Sequence, residues 1–348
     1  MKAKRIRMGV SGLGRIGWKF HCKEISEHRE FELAAVADPS AERRREAEAA
    51  YGCRAFPSYA HMISEAELDA VVVASPTHLH KAQAVAALRK GLHVLLEKPM
   101  ALDLAEAQVV VRAARRAKRV LTVYQPHRLR AYFQQLLRIL RSGKLGTIYH
   151  VRLAMFDFER RDDWQSLRKY GGGILNNYGA HALDQILALL GHDVRRVFCN
   201  RRIVATLGDA EDVVKVVCET RDGAVGEVDI NQASPVSPFG IVVHGSRGVL
   251  TSDRKAFTVR RIPARGLKPK KLNKSLAAAN RQYPSDDVRF LEEIIPVDEK
   301  YKIDVYKDFA RAVRTGAAPY IRPEETLAVM SLIEACRKDS PRIFEARL

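Results

Sequence analysis

A glycine-rich turn near the start of the chain constrains the fold more than any other feature. Residues 12–17 read Gly-Leu-Gly-Arg-Ile-Gly, a G-x-G-x-x-G pattern that follows a short apolar strand and opens a helical stretch. In this context the first glycine permits a tight turn, the second lets a pyrophosphate approach the backbone, and the third lets helix and strand pack closely. The pattern therefore predicts a dinucleotide site that is formed by Gly12, Gly14, Arg15, Ile16 and Gly17.

An acidic residue at the end of the next strand bears on the choice of cofactor. Asp38 lies 21 residues after Gly17, where a carboxylate can accept hydrogen bonds from both hydroxyls of an adenine ribose and repels a 2′-phosphate. Asp38 therefore favours NAD. Arg43 and Arg44 lie close enough to keep NADP open, and capping of the helix that begins near Ser40 is the structural alternative for Asp38.

Strand and helix patterns alternate through the first 123 residues. Continuous apolar segments such as Ala70 to Ala74 are typical of strands buried on both faces, and helical segments separate them. This βαβ repetition predicts an α/β fold that begins with a parallel Rossmann sheet. We assign residues 1–123 to a dinucleotide-binding domain.

The pattern changes after residue 123. A hairpin signal joins two strand segments through Arg-Asp-Gly at residues 221–223. In its second segment apolar and polar residues alternate, so that Glu227, Asp229 and Asn231 share one face of the sheet. We expect residues 124–322 to form an α+β domain with a large open, mainly antiparallel sheet, and residues 323–348 to pack back on the core as a helix and tail.

Composition narrows the class of protein. Apolar residues make up 47% of the chain, as in ordinary globular proteins, and no apolar run approaches the roughly 18 residues of a membrane helix. The basic residues near Met1 precede only a short apolar stretch, unlike those of a signal peptide. Five scattered cysteines without a C-x-x-C pair exclude a disulfide scaffold and a zinc ribbon, and they indicate a reducing cytoplasm. We expect no metal.

The formal net charge of +18 is the unusual quantity. The densest basic segment is Arg260 to Lys274, which contains seven Lys or Arg residues, no acidic residue, two prolines and a glycine, and therefore predicts a solvated loop. Neither zinc-finger spacing nor aromatic residues interleaved with basic ones accompany it. We therefore expect an arginine-rich surface and no nucleic-acid or membrane partner.

Polar residues that carry chemistry follow two strands of the expected Rossmann sheet. One segment runs from Ser75 to His80, and another reads Glu97-Lys98-Pro99. Binding sites in open α/β sheets form at the carboxyl ends of the strands, so both segments are expected at the site. A lysine there can donate to a substrate oxygen and stabilise negative charge that develops on it. A surface ammonium is the alternative for an isolated lysine.

A third motif runs from Gly171 to Asp184 and opens on three glycines. Asn177, His181 and Asp184 follow one another at spacings of 4 and 3, which places them on one side of a helix. Histidine suits proton exchange near neutral pH because its ordinary pKa is close to 6.5. A hydrogen-bonded core histidine is the alternative.

Together these segments resemble the glucose-fructose oxidoreductase / inositol dehydrogenase / MocA family. The N-terminal glycine motif, Glu97 to Pro99 and the run from Gly171 to Asp184 carry the resemblance, and their order and spacing cover nearly the whole chain. The resemblance implies a Rossmann domain that carries NAD or NADP, and a C-terminal domain whose open sheet supplies the substrate pocket and usually an oligomer interface. The family's catalytic lysine maps to Lys98 and its catalytic histidine to His181.

One position departs from the family pattern. Many members have Asp four residues before the histidine, whereas this chain has Asn177, whose amide can bind a sugar hydroxyl but cannot take a proton. Arg161, Asp163 and Lys169 are further candidates for the pocket wall, with structural loop residues as the alternative. The remaining candidates are Ser75, Thr77, His80, Glu97, Lys98 and Gln125 for the cofactor, and Lys98, His127, Arg128, Trp164, Asn177, Tyr178 and His181 for the substrate.

The function that these features favour is hydride transfer between nicotinamide and a CH–OH group of a sugar, polyol or sugar derivative. A homodimer or homotetramer is expected from the open sheet. Two alternatives remain. One is an enzyme that retains NAD and oxidises a glycoside transiently for elimination or hydrolysis, without net redox change. The other is a non-catalytic NAD-binding sensor.

Overall fold

The computed structural model describes residues 4–263, 265–274, 276, 283, 286 and 288–348. Residues 1–3 of the expected first domain and residue 264 of the basic segment lie outside the described residues. The strands are β1 Ile6–Ser11, β2 Phe31–Ala37, β3 Arg54–Phe56, β4 Ala70–Val73, β5 His93–Glu97, β6 Leu121–Tyr124, β7 Ile148–Phe156, β8 Val194–Ile203, β9 Val213–Thr220, β10 Val225–Asn231, β11 Ile241–Gly245, β12 Gly248–Ser252, β13 Ala256–Arg261, β14 Leu291–Pro296 and β15 Phe344–Glu345. The α-helices are α1 Lys23–Glu27, α2 Ala41–Tyr51, α3 Tyr59–Glu65, α4 His80–Arg89, α5 Leu104–Ala117, α6 Pro126–Leu129, α7 Ala131–Arg141, α8 Ile174–Asn177, α9 Gly179–Leu190, α10 Val305–Thr315 and α11 Pro323–Asp339.

The first sheet is the predicted parallel Rossmann sheet. Its strand order is β3-β2-β1-β4-β5-β6, and every neighbouring pair is parallel. The inner strands are almost wholly apolar because helices cover both faces; all four residues of β4 are buried. Because parallel strands share one carboxyl edge, the glycine motif after β1 and Lys98 after β5 come to the same side of the sheet.

The second sheet is large and mainly antiparallel, as predicted. In the described part of the chain its order is β14-β13-β12-β11-β7-β10-β9-β8-β15, with parallel pairing only between β7 and β10 and between β8 and β15. Along β10, Gly226, Val228 and Ile230 are buried, whereas the alternate residues are half-buried. The buried face packs on α9, and the other face carries no helix of the described chain.

Helices near the end of the chain pack on both sheets. Tyr306 and Phe309 of α10 are buried in one cluster with Phe31 of β2 and Met8 of β1. Helix α11 packs against α5, α9 and β8. None of the helices in the described ranges has the length and apolar character needed to cross a bilayer.

Several elements differ from the sequence expectation. Strand β13 extends into the basic segment, so Arg260 and Arg261 belong to a strand rather than to the expected loop. The helix expected to carry Asn177, His181 and Asp184 is divided at Tyr178, so that Asn177 ends α8 whereas His181 and Asp184 belong to α9. The helix after the glycine motif begins with a π-helical turn, Gly17–Cys22, before α1. The five cysteines are free and buried.

Candidate active site

The glycine turn has the geometry that close contact with a dinucleotide requires. Gly12 has a φ of +90°, and a side chain there would approach the Ala74 carbonyl oxygen to 2.7 Å. A side chain at Gly17 would overlap the carbonyl of Gly12, so this glycine lets the helix pack on β1. No atom of the described residues lies within 4 Å of the position that a Cβ of Gly14 would take, which leaves the backbone open to a ligand.

Asp38 binds the glycine turn directly. Its Oδ2 accepts a hydrogen bond from the Leu13 amide at 2.8 Å, and its Oδ1 accepts one from the Ser40 amide at 2.9 Å. The side chain that caps α2 is Ser40, which accepts from the Arg43 amide. The Arg43 guanidinium lies 3.7 Å from Asp38 Oδ2. Each carboxylate oxygen of Asp38 retains a further lone pair for a ligand hydroxyl.

A cleft of about 790 Å³ connects the glycine turn with the motifs after β5 and in α8 and α9. The structure brings most of the candidate residues to its wall. Those that line it are Gly12, Gly14, Arg15, Ile16, Asp38, Ser75, Glu97, Lys98, His127, Arg161, Asp163, Trp164, Asn177, Tyr178 and His181. The cleft has the size of a cofactor site, and its glycine turn and Asp38 fit a dinucleotide.

Lys98 is fixed by Asn177. Its Nζ donates to Asn177 Oδ1 at 2.7 Å and to the Asn177 carbonyl at 3.1 Å. The Asn177 amide nitrogen donates in turn to Gln165 Oε1 at 3.4 Å, so both ends of this amide are engaged. Burial, with Arg161 nearby, lowers the pKa of Lys98 to about 8, although Glu97 opposes the shift. The ammonium is therefore largely charged at pH 7 and can donate to a ligand oxygen.

His181 is held as one neutral tautomer. Gln125 donates from Nε2 to the Ala180 carbonyl at 3.3 Å, which turns its Oε1 toward His181 Nδ1 at 2.7 Å. Because this oxygen only accepts, Nδ1 of the neutral ring carries the proton and Nε2 keeps a free lone pair. Burial, with Lys98, His127 and Arg130 nearby, lowers the pKa of His181 well below its ordinary value.

His127 stacks on His181. The ring centroids are 4.2 Å apart and the planes differ by 10°. Burial, with Arg130 and Lys98 nearby, lowers the pKa of His127 to about 3, so both rings are neutral at pH 7. An imidazole that is neutral and carries an available nitrogen can accept a proton.

Sequence reasoning missed a buried hydrogen-bonded chain behind Lys98. Glu97 Oε2 accepts from the Lys98 amide at 3.1 Å, and Glu97 Oε1 lies 2.9 Å from His21 Nε2. His21 Nδ1 lies 2.6 Å from the Tyr306 hydroxyl. Arg130 and Tyr124 also line the cleft and were not predicted. Arg130 lies three residues after the predicted His127, and this spacing is the one local pattern from which it could have been predicted.

Six candidate residues do not line the cleft. Gly17 serves helix packing, as described above. Gln125 contacts His181 from behind, and Thr77 is buried beside Gly171. His80 is buried with its ring nitrogens 2.9 Å from the Pro99 carbonyl and 2.8 Å from the Ser75 carbonyl, where it joins the loops after β4 and β5.

Arg128, the fifth, turns away from the cleft. Its guanidinium is buried and lies 3.1 Å from Asp184 and 2.7 Å from Glu325. The structure therefore places Arg128 in an ion pair between α9 and α11, and Asp184 lies there too, away from His181. Lys169, a further pocket candidate, has its ammonium over the Tyr170 ring and is likewise outside the cleft wall.

A parallel Rossmann sheet, a second open sheet and a shared cleft define a two-domain, dinucleotide-dependent oxidoreductase. A family profile described as "Oxidoreductase family, NAD-binding Rossmann fold" matches residues 6–125, and one described as "GFO/IDH/MocA C-terminal domain" matches residues 133–251. The chain belongs to the Gfo/Idh/MocA family, and it is an NAD(P)-dependent dehydrogenase of that family.

Named relatives agree with this family. The chain is 32% identical to the rhizopine catabolism protein MocA of Rhizobium meliloti over 235 residues, which cover 66% of this chain and 73% of that protein. It is 28% identical to the myo-inositol 2-dehydrogenase of Thermotoga maritima, over 71% of this chain and 75% of that protein. The WlbA dehydrogenase of Bordetella pertussis, solved with NADH and UDP-GlcNAcA, superposes with a TM-score of 0.78 at 26% identity, over 97% of each chain.

Proposed function

We propose that this protein oxidises a CH–OH group of a sugar, polyol or sugar derivative, with Lys98 and His181 as the catalytic residues. The observation that carries the proposal is that a charged Nζ and a proton-free imidazole nitrogen belong to the wall of the same cleft as the glycine turn. The inositol and UDP-sugar ligands in the names of the relatives support the substrate class.

The two residues have separate tasks in this mechanism. His181 Nε2 accepts the proton of the substrate hydroxyl, and the resulting imidazolium keeps its other proton on Nδ1 toward Gln125. Lys98 Nζ donates to the same oxygen and stabilises its growing negative charge. The glycine turn and Asp38 would hold the nicotinamide cofactor, which would supply the hydride acceptor for the carbon that bears this oxygen. Asn177 orients Lys98 toward the oxygen without adding a charge.

A substrate panel tests the proposal. Purified protein is supplied with sugars, inositols and glycosides together with NAD or NADP, and reduced nicotinamide is followed by its absorbance. We expect at least one of these compounds to reduce the cofactor. Binding of NAD without reduction by any CH–OH compound would contradict the proposal.

We further propose that NAD is preferred over NADP. Asp38 is 4% exposed at the glycine turn and bears a negative charge that a 2′-phosphate would approach. Arg43 works in the opposite direction, because its guanidinium lies beside that carboxylate. We expect Asp38→Ala to bring the dissociation constants for NAD and NADP closer together, or to reverse their order. Tighter binding of NADP by the unmodified protein would overturn the assignment.

A further inference from the structure

A second chamber lies beside the active-site cleft, on the C-terminal sheet. It has a volume of about 560 Å³ and shares His127 and Tyr178 with the cleft. None of the glycine-turn residues lines it. A volume of this size suits a drug-sized group rather than a single small sugar ring. The chamber therefore adjoins the proposed reaction centre, and its volume is additional to the space that the cofactor and the reacting carbon would occupy.

The walls of the chamber suit a ring. Phe156 and Phe239, with Met155 and Ile230, supply apolar surface, and Gln232 supplies a polar group. The Phe239 ring is held in place by the Arg152 guanidinium, which lies 4.5 Å from the ring centroid. Aromatic and apolar walls combined with placed polar groups are typical of sites that bind a planar ring and fix its orientation.

Arg254 places a charge at this chamber. Its φ of +73° lies in the left-handed region, which is unusual for a residue with a side chain. Its amide donates to Ser252 Oγ at 3.0 Å and its Nη2 donates to the Ala154 carbonyl at 3.1 Å. Within the part of the chain that the structure describes, no carboxylate forms an ion pair with Arg254.

The acidic residues of the chamber face the backbone instead. Asp157 Oδ1 accepts from the Phe158 amide at 2.8 Å. Asp253 Oδ1 accepts from the Lys255 amide at 2.8 Å and from the Ala256 amide at 3.0 Å. Both carboxylates therefore already have donors, whereas among the described residues the Arg254 guanidinium has one carbonyl partner and retains donors for a ligand.

We propose that this chamber binds a planar ring that is attached to the reacting sugar, so that the physiological substrate is a sugar conjugate rather than a free sugar or polyol. The proposal rests on the function proposed above. The ring is either the base of a nucleoside diphosphate sugar or the aryl group of a glycoside. Arg254 distinguishes the two sources, because its guanidinium binds a phosphate of the first and has no such partner in the second.

Matched compounds test the substrate class. The pairs are phenyl and methyl β-glucoside, and UDP-N-acetylglucosamine and N-acetylglucosamine. Two quantities are measured: kcat/KM from the appearance of NADH, and the dissociation constant for the NADH-loaded protein by calorimetry. We expect one ring conjugate to have a kcat/KM about tenfold or more higher than its partner compound, or a dissociation constant about tenfold or more lower, the size of one well-packed ring contact. Equal values within both pairs would overturn the proposal.

A filling variant tests the location. Ser237→Trp fills the chamber, and we expect it to remove the advantage of the conjugate over its partner. Val236→Trp is the matched control, because Val236 is 70% exposed on the same loop and does not line the chamber; we expect it to keep the advantage. If Ser237→Trp misfolds, Phe239→Leu removes an aromatic wall and should reduce the same ratio. An advantage that survives both Ser237→Trp and Phe239→Leu would overturn the assignment of the chamber.

Arg254→Gln identifies the source of the ring. If Arg254→Gln removes the advantage of UDP-N-acetylglucosamine over N-acetylglucosamine and leaves the phenyl pair unchanged, the result supports a nucleotide sugar. If Arg254→Gln changes neither pair while Ser237→Trp removes the advantage of phenyl over methyl β-glucoside, the result supports an aryl glycoside. Lys255→Gln removes an equal charge from the same turn as a control. If no compound reduces NAD but a ring conjugate binds and Ser237→Trp abolishes binding, the chamber assignment stands and the oxidoreductase proposal fails.

Discussion

His181 and Lys98 lie 83 positions apart in the sequence, yet Asn177, one turn before His181, accepts a hydrogen bond from Lys98. If His181 takes the proton and Lys98 stabilises the oxygen, both act chiefly in the transition state. We expect His181→Ala and Lys98→Met each to lower kcat by about 10²-fold or more. The measurements are the steady-state rate with a CH–OH compound that the unmodified protein oxidises, and the affinity for NAD by fluorescence. NAD affinity should change little in His181→Ala, since the glycine turn and Asp38 remain. Near-normal kcat in His181→Ala would move the role of base to another group, with Tyr178 the next candidate.

The lowered pKa values of the same two residues set a pH dependence. Lys98 donates only when protonated, and its pKa is lowered to about 8, so activity should fall as pH rises through about 8. His181 accepts a proton only when neutral, and its pKa is lowered, so activity should fall on the acidic side only well below pH 6.5. We expect a pH profile of kcat/KM that is flat between these limits.

Asn177→Asp is the informative variant for this profile. A carboxylate at residue 177 would favour the charged form of Lys98 and move the alkaline limb to higher pH. It would also remove the N–H that Asn177 donates to Gln165 Oε1 and set two acceptors against each other, so we expect lower activity at pH 7. An alkaline limb that stays in place would show that Lys98 does not produce it.

At the scale of elements, α9 is joined to α6 and α11 by buried charges. Arg128 of α6 pairs with Asp184 of α9 and Glu325 of α11. Burial raises the pKa of Asp184 to about 6, and its Oδ2 accepts no hydrogen bond from the residues that the structure describes. Arg128→Met would leave Asp184 buried beside another carboxylate. We expect a loss of about 3–5 kcal/mol in the free energy of unfolding.

Chemical denaturation of Arg128→Met measures this loss. The control is Arg115→Met, which breaks the exposed pair between Arg115 and Glu324 and should cost less than about 1 kcal/mol. Because the folded pKa of Asp184 is raised, its contribution to stability is lost as pH rises through about 6, so the unpaired variant should recover stability toward pH 5. Equal losses in the two variants would contradict a structural role for Arg128.

The strands show which elements local sequence patterns can predict. Five of the six Rossmann strands and the β9–β10 hairpin follow from apolar runs and from strict alternation, which depend on neighbouring residues; the three-residue strand β3 was not predicted. Strands β8 and β14 were missed because adjacent exposed charges interrupt the alternation of apolar and polar residues: Arg195 and Arg196 lie in β8, and Glu292 and Glu293 lie in β14. The contact of Gln125 with His181, and the one between His21 and Glu97, depend on the packing of distant segments and leave no local pattern.

At the scale of the whole molecule, no helix of the described residues covers the open face of the second sheet. Its centre is an ion-paired ladder in which Glu227 lies 2.8 Å from His150 and 3.0 Å from Lys215. Two apolar side chains lie on the same face: Phe198 is 56% exposed and Ile294 is 67% exposed. We propose that two such faces pack across a two-fold axis, with the ladder hydrogen-bonded at the interface.

Light scattering tests this assembly. We expect a dimeric or tetrameric mass at micromolar concentration, and we expect Phe198→Asp to shift the mass toward the monomer because it places a carboxylate in the apolar margin of the face. Leu276→Asp is a control, since Leu276 is fully exposed outside the sheet. A monomeric mass for the unmodified protein would refute the proposal.

The packing of α10 has a consequence for attempts to recombine this protein with its relatives. Tyr306 both fills the core beside Phe31 and closes the hydrogen-bonded chain that runs through His21 to Glu97. A chimera that transplanted only the first 123 residues would leave His21 without its hydroxyl partner and open the cluster around Phe31 to water. The set of residues to exchange when cofactor preference is transferred is therefore discontinuous in sequence: it includes a segment near the end of the chain as well as the glycine turn.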